Sequence, residues 1–291
     1  MSQALCVDLG GSNLRVGLLR EGDRAPRPIG HWPTPVGLDD FRARVGSLAA
    51  AHEVSSIGIA VPGLASGSRC LWLPNLPFMN GVDLSELFPN TAIALGNDAH
   101  LALLAEAAKG AAMGVSNAIL LAIGTGIGSA VLSDGKIVVG SSGGATSFGW
   151  ACADPADPGD ELHGWLERNA SGRALDKIAH STGLASGAAL VERARGGDHA
   201  ASEALLGPAA ALAATLAGAV ALLGSSTIII SGGVTESMDV IGPLILPFLK
   251  RHLPPHLRQV TLTKAAFGMG ASLAGAGFAA QGNPLWPEHR S

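Results

Sequence analysis

The chain contains no tyrosine, and phenylalanine and tryptophan bring its aromatic content to only 4% of 291 residues. Its core must therefore be built from Ala, Leu, Val and Ile packed around 40 glycines. Charge is sparse too. Asp, Glu, Lys and Arg make up 14%, and 19 basic against 23 acidic residues leave a net charge of −4. No surplus of positive charge is available to follow a phosphodiester backbone, so no nucleic-acid partner is expected. The three cysteines, Cys6, Cys70 and Cys152, are odd in number and lack C-x-x-C spacing, which argues against a disulfide framework and against a thiolate zinc site. The opening segment MSQALCVDLGG lacks the basic-then-apolar order of a secretion signal. Residues 204–235 carry no charge, but Gly207-Pro208 and Gly224-Ser225-Ser226 interrupt them. They read as a buried Ala-rich helix over about 209–223 and a strand over 227–231, not as a membrane span. A soluble, cytoplasmic protein with no membrane partner is expected.

What is present is a globular composition, 47% hydrophobic, in a chain long enough for about two domains. Apolar runs at 4–9 and 14–19 flank Gly10-Gly11-Ser12-Asn13, which predicts a hairpin. A strand near 28–32, a helix over 38–51, a strand over 56–61 stopped by Pro62-Gly63, and a strand over 92–95 follow. A helix over 99–109 is predicted from the spacing of Leu101, Leu104, Ala105 and Ala108. After a short turn near 113–116 the theme repeats. Strands at 117–123 and 127–133 flank Gly124-Thr125-Gly126, and a third lies at 136–139. Helices fill about 162–223, the strand 227–231 runs into Gly232-Gly233, a helix lies near 238–249, a strand near 260–262, and a last helix near 270–280. The repeat is one of architecture, not of sequence.

The glycine loops are the first candidates for chemistry. Asp8 stands at a strand end, and Gly10 and Gly11 allow backbone N–H groups to approach an anion, with Ser12 and Asn13 as side-chain donors. Gly124-Thr125-Gly126 and Gly232-Gly233 are of the same kind, although each loop alone also reads as an ordinary tight turn. Neither a G-x-G-x-x-G dinucleotide fingerprint nor a G-K-[ST] phosphate loop occurs. Asp98, taken alone, reads as an N-cap or first-turn acid of the helix that follows it.

The order DLGGSN, Val61-Pro62-Gly63, Gly96-Asn97-Asp98, GTGIG and ISGGV is more specific than any single loop. It resembles the sugar-kinase, Hsp70 and actin superfamily and, within it, the ROK family of bacterial sugar kinases, nearly end to end. The resemblance implies an α/β fold of two ribonuclease-H-like, actin-like ATPase domains around a cleft. Residues 1–114 plus about 270–291 would form the N-terminal domain and 115–269 the nucleotide domain. It implies ATP and Mg²⁺ as cofactors, with Gly10, Gly11, Ser12, Asn13, Thr125 and Gly126 facing the phosphates and Gly232 and Gly233 by the nucleoside. Asp8 would act on Mg²⁺ through water. Asp98 would take the proton from the sugar hydroxyl, as a weak base whose positioning matters more than its strength. Asn75, Asn97 and Glu167 would contact the sugar. Family members are often dimers, so a homodimer is implied.

Two departures from the family pattern carry information. The usual Glu-x-Gly-His is here Ser147-Phe148-Gly149-Trp150, which places Ser147 and Trp150 against the substrate. The C-x-C-G-x-x-G-C-x-E zinc loop is here 158–167, with Pro158, Asp160 and Trp165 at the cysteine positions. Proline and tryptophan offer no ligand atoms, so no zinc is expected. The implied activity is ATP-dependent phosphorylation of a hydroxyl, most simply the primary one, on a hexose-like ring. The altered segment favours a modified ring such as the amino sugar kanosamine or a C7-cyclitol. An ordinary glucokinase and a catalytically silent sugar-binding relative are the alternatives. A repressor of the same family is disfavoured, since Asp8 leaves no room for a preceding DNA-binding helix-turn-helix.

Overall fold

In the computed structural model, which describes residues 3–287, the apolar runs flanking Gly10-Gly11 pair as an antiparallel hairpin, β1 (Gln3–Leu9) and β2 (Asn13–Arg20). β3 (Arg27–Pro33) lies antiparallel to β2, and β4 (Ser56–Val61) parallel to β1. A small hairpin of β5 (Leu64–Ser66) and β6 (Arg69–Trp72), not foreseen in the sequence, precedes β7 (Ala92–Asn97), which is parallel to β4. The sheet order is β3-β2-β1-β4-β7. β1 is buried on both faces, as its unbroken apolar run requires. Leu5, Val7 and Leu9 share a core with Phe41 and Val45 of the helix Leu38–Ala51. Alternation turns Cys6 and Asp8 to the other face, toward the helix Ala271–Ala280. That helix packs closely on the helix Asp98–Lys109. A Cβ on Gly275 would stand 1.8 Å from the Leu101 carbonyl oxygen, so only glycine permits the approach.

This first compact unit comprises the chain up to Val115, the segment Asp134–Thr146, and the chain from Ala266 onward. The expected domain division left 134–146 with the second domain; here it clusters with the first. The Ile137 N–H donates to the Leu285 carbonyl at 2.9 Å, and the His100 ring bonds the Ala145 carbonyl. Of the expected N-terminal domain, residues 1–2 and 288–291 lie outside the described residues.

The second unit comprises Ser116–Ser133 and Ser147–Ala265. β8 (Ala118–Ile123) and β9 (Ile127–Ser133) form its antiparallel hairpin. The turn Asp134-Gly135 then leads to the two-residue β10 (Lys136–Ile137) of the first unit. β11 (Thr227–Ser231) and β12 (Thr261–Lys264) continue in parallel from β8, giving the order β9-β8-β11-β12 within this unit. A glycine-turned hairpin followed by parallel strands thus occurs in both units. The uncharged stretch folds as the helix Leu206–Leu223. It begins earlier than expected because Gly207-Pro208 sits in its first turn, where a missing N–H costs nothing. Together with the short helix His199–Ala204 before it, the segment His199–Leu223 is long and apolar enough to cross a membrane, and half of its apolar window is buried inside the fold.

Candidate active site

The C-terminal ends of β1, β4 and β7 lie side by side, since Asp8 pairs with Ala60 and Val61 with Asn97. This edge of an α/β sheet is where ligands bind, and it gathers most of the expected residues of the first unit. The Asp8 carboxylate is buried; its Oδ2 meets Arg15 Nη2 at 2.8 Å and accepts from Ser272 Oγ at 3.0 Å. Burial raises its pKa, and Arg15 and then Ser272 pull it back. Oδ1 has no partner among the described residues, and such a carboxylate oxygen would suit a hard cation held through water.

Beyond Asp8 the hairpin closes with Gly10 N–H donating to the Asn13 carbonyl at 2.8 Å. Thr34 ties the tip from the side, its Oγ1 donating to the Gly10 carbonyl at 2.6 Å and its N–H to the Ser12 carbonyl at 3.1 Å. Gly11 and Ser12 form an exposed tip whose N–H groups have no partner among the described residues, a backbone cradle fit for an anion. Asn13 is exposed, and its Oδ1 is taken by His31 Nε2 at 3.0 Å. Asn75 stands beside the tip, its Cβ 3.1 Å from where a Cβ on Gly11 would be.

Asn97, not Asp98, caps the helix Asp98–Lys109. Its Oδ1 accepts from the N–H groups of Ala99 at 2.9 Å and His100 at 3.4 Å, and its Nδ2 donates to the Gly63 carbonyl at 3.2 Å. Asn97 therefore holds Val61-Pro62-Gly63 to the helix start, with its Oδ1 taken by the cap and one of its two Nδ2–H donors given to Gly63. The Asp98 carboxylate accepts from the adjacent Ala99 N–H at 2.8 Å. Burial raises its pKa to about 6, against the Ala99 hydrogen bond and with help from the Asp8 charge. The weak base expected beside a helix terminus is thus a stronger one, because desolvation outweighs the terminal N–H groups.

In the second unit, the β8–β9 turn is closed by Gly124 N–H donating to the Gly126 carbonyl at 3.0 Å. The start of the helix Gly172–Ser181 grips it, with Gly172 N–H donating to the Gly124 carbonyl at 2.7 Å. Thr125 is exposed at the tip. The Glu167 carboxylate lies over Gly126: a Cβ there would be 2.2 Å from Glu167 Oε1. That carboxylate, part-buried, has no hydrogen bond among the described residues. Ser147–Trp150 borders the same place, since Gly149 packs on the Ile127 carbonyl and beside Glu167. Phe148 N–H donates to Ser129 Oγ at 3.1 Å, and the Trp150 ring is 51% exposed. Gly232, with φ +83°, follows β11 and sits against the Ile123 carbonyl, and exposed Gly233 opens the next turn. Thr125, Gly126, Ser147, Trp150, Glu167 and Gly232 are thereby gathered within one unit.

The sequence profile of the ROK family matches residues 4–282. The chain belongs to the ROK family. The kanosamine kinase of Amycolatopsis mediterranei (strain S699) is 31% identical to this ROK chain over 256 residues, 82% of each. The glucokinase of Thermotoga maritima is 29% identical over 268 residues, 82% of this chain and 84% of that one. A ROK hexokinase structure from Thermus thermophilus superposes with a TM-score of 0.80 at 25% identity, covering 96% of this chain and 98% of that one. The two-unit α/β architecture is that of the actin-like ATPase fold of ROK sugar-kinase structures.

In this ROK chain the loop at the family's zinc position is held by an ion pair. Arg168 meets Asp157 through both guanidinium ends, Nη2 to Oδ1 at 2.7 Å and Nη1 to Oδ2 at 3.2 Å, and its Nε donates to the His163 carbonyl. Asp160 Oδ1 accepts from the N–H groups of Leu162 and His163, each at 2.8 Å. Among the described residues no group of three His, Cys, Asp or Glu side chains is placed to hold a metal ion. Sequence reasoning missed Arg15 and Ser272 as partners of Asp8. Arg15 was findable, since a hairpin that turns at residues 10–13 sets it across from residue 8. Ser272 was not, because 264 residues separate it from Asp8.

Proposed function

We propose that this ROK chain transfers the γ-phosphoryl group of ATP to the primary hydroxyl of a hexose-like ring, with a modified ring, an amino sugar such as kanosamine or a C7-cyclitol, as its preferred acceptor. Asp98, part-buried and with a pKa of about 6, takes the hydroxyl proton as the acceptor oxygen bonds to phosphorus and the bond to the β-phosphate oxygen breaks, releasing ADP. The N–H groups of Gly11 and Ser12 and the Thr125-Gly126 turn receive the phosphates, Gly232 and Gly233 border the nucleoside, and Asn75 stands on the acceptor side. Mg²⁺, held through water near Asp8 Oδ1, would neutralise phosphate charge. A cytoplasmic, homodimeric protein fits this reading.

The observation that carries the acceptor class is the Glu167 carboxylate, without a hydrogen bond among the described residues, beside Ser147–Trp150. Where the family pattern has a Glu and a His, Ser147 is shorter and neutral and Trp150 offers one N–H and an apolar wall. Losing one charge-assisted hydrogen bond, worth about 1.5–3 kcal/mol, weakens plain glucose by roughly 10- to 150-fold. Glu167 supplies a negative charge that an amine on the ring can pair with. The sugar-specific relatives support both possibilities by name, one kanosamine and one glucose. Coupled ADP release over a panel of hexoses, amino sugars and cyclitols tests the reading. The expected result is a higher kcat/KM for an amino sugar or cyclitol than for glucose. Glucose as the best acceptor would make the chain a glucokinase, and sugar-independent ATP turnover, or none at all, would remove the kinase reading.

A further inference from the structure

Two residues after Asp98, the same helix carries a second polar side chain, His100, only 2% exposed. Its Nε2 lies 3.1 Å from the Ala145 carbonyl oxygen. A carbonyl only accepts, so Nε2–H is the donor. Burial lowers the His100 pKa and keeps the ring neutral. Ala145 is followed by Thr146, whose φ of +63° places a β-branched residue in the left-handed region, a conformation that persists only where the surroundings impose it. Ser147 and Trp150 come next. The chain before Ala145 is held as well. Gly143 lies so close to the Ala65 carbonyl that a Cβ would stand 1.8 Å from it, and Ala145 N–H donates to the Val139 carbonyl at 3.2 Å. The hydrogen bond from His100 is the last of these restraints before the strained residue.

We propose that His100 is a positioning residue for acceptor binding: by holding Ala145 it keeps Thr146 left-handed and so sets the path on which the chain enters Ser147–Trp150. The proposal rests on the reading of Ser147 and Trp150 as acceptor-contacting residues. His100 touches neither substrate in this role. It acts through the backbone of Ala145.

Three variants separate the possibilities: His100→Leu, which keeps the volume and removes the donor; His100→Gln, which returns an N–H near the Nε2 position; and Trp150→Ala, which reports on the acceptor reading alone. In His100→Leu the acceptor KM should rise about tenfold, the net worth of roughly one hydrogen bond, with KM for ATP unchanged. Amide hydrogen exchange should quicken at residues 145–150, and His100→Gln should recover most of both effects. An unchanged acceptor KM in His100→Leu while Trp150→Ala raises it overturns the proposal and leaves the acceptor reading standing. An unchanged acceptor KM in both overturns the acceptor reading and the proposal with it. Equal rises in both KM values, with exchange quickened throughout the chain, would show a merely structural role and likewise overturn it.

Discussion

The Glu106 carboxylate accepts a hydrogen bond from the Phe267 backbone N–H at 2.9 Å, across 161 residues of sequence. It also accepts from Ala266 N–H at 3.0 Å and Ala111 N–H at 2.8 Å, and it is fully buried. One side chain of the Asp98 helix thus clamps the chain just after that helix and again where it re-enters the first unit. Hydrogen bonds to a charged group are worth about 1.5–3 kcal/mol each, and buried donors left unpaired cost more. Glu106→Ala should therefore lower the unfolding free energy by at least ~3 kcal/mol, read as a fall in the urea midpoint. A midpoint within error of the parent would show that water replaces the carboxylate.

Asp98→Asn should lose at least ~10²-fold in turnover, the usual cost of removing a general base, while ATP binding persists. The parent's kcat/KM should fall tenfold per unit as pH drops below about 6, where Asp98 becomes protonated, and the variant should lack that limb. Near-parental turnover in a coupled ADP assay would take the role from Asp98.

The same shift sets a stability test. A carboxyl with a raised folded pKa contributes stability that is full below its unfolded pKa and is lost as pH rises through about 6. Asp98→Asn, which never ionises, should gain over the parent above pH 6, by up to ~3 kcal/mol for about two pKa units. Thermal melts at pH 5 and pH 8 check this. A variant advantage that does not grow with pH would contradict the buried-charge account.

Gly232 and Gly233 should respond in opposite ways to alanine. Gly232 has φ +83° and ψ −172°, a region essentially restricted to glycine, and a Cβ would lie 2.5 Å from the Ile123 carbonyl. Gly232→Ala should cost more than about 1–3 kcal/mol and weaken ATP binding. Nothing lies within 4 Å of a Cβ on Gly233, so Gly233→Ala should fold like the parent. Titration of ATP and denaturant melts of the pair decide it.

Chelation should leave the melting temperature unchanged, whereas Arg168→Ala should lower it by freeing the Asp157 loop. The ion pair holds Asp157 below the ordinary carboxylate range, so its contribution is present above the unfolded pKa and disappears as pH falls. Metal analysis that finds one zinc per chain would reverse the assignment.

Much of the fold is legible because the longer strands announce themselves locally. Residues 56–61 and 227–231 are apolar runs stopped by Pro-Gly and Gly-Gly, and both are strands over those residues. The hairpin β5–β6 was missed because Leu64–Ser66 and Arg69–Trp72 are too short to show a period. The helix Leu206–Leu223 begins before the sequence predicts, because Gly207-Pro208 reads as a break unless the position within the first turn is known. At the site, Asn97 and Asp98 were singled out together, but which of them caps the helix depends on backbone angles, not on residue type.

The sequence by itself determined the order of glycine turns and strand-end acids, and with it the family and the chemistry expected of Asp8 and Asp98, because those features depend on neighbours a few residues away. Tertiary structure decided what those acids are. Arg15 and Ser272 oppose the burial of Asp8, and desolvation lifts Asp98 to a pKa of about 6. Glu106 and His100 became anchors only when residues 145 and 266–267 arrived beside them. A side chain's charge state and partners follow from what is packed against it, and packing brings together residues whose separation along the chain carries no signal.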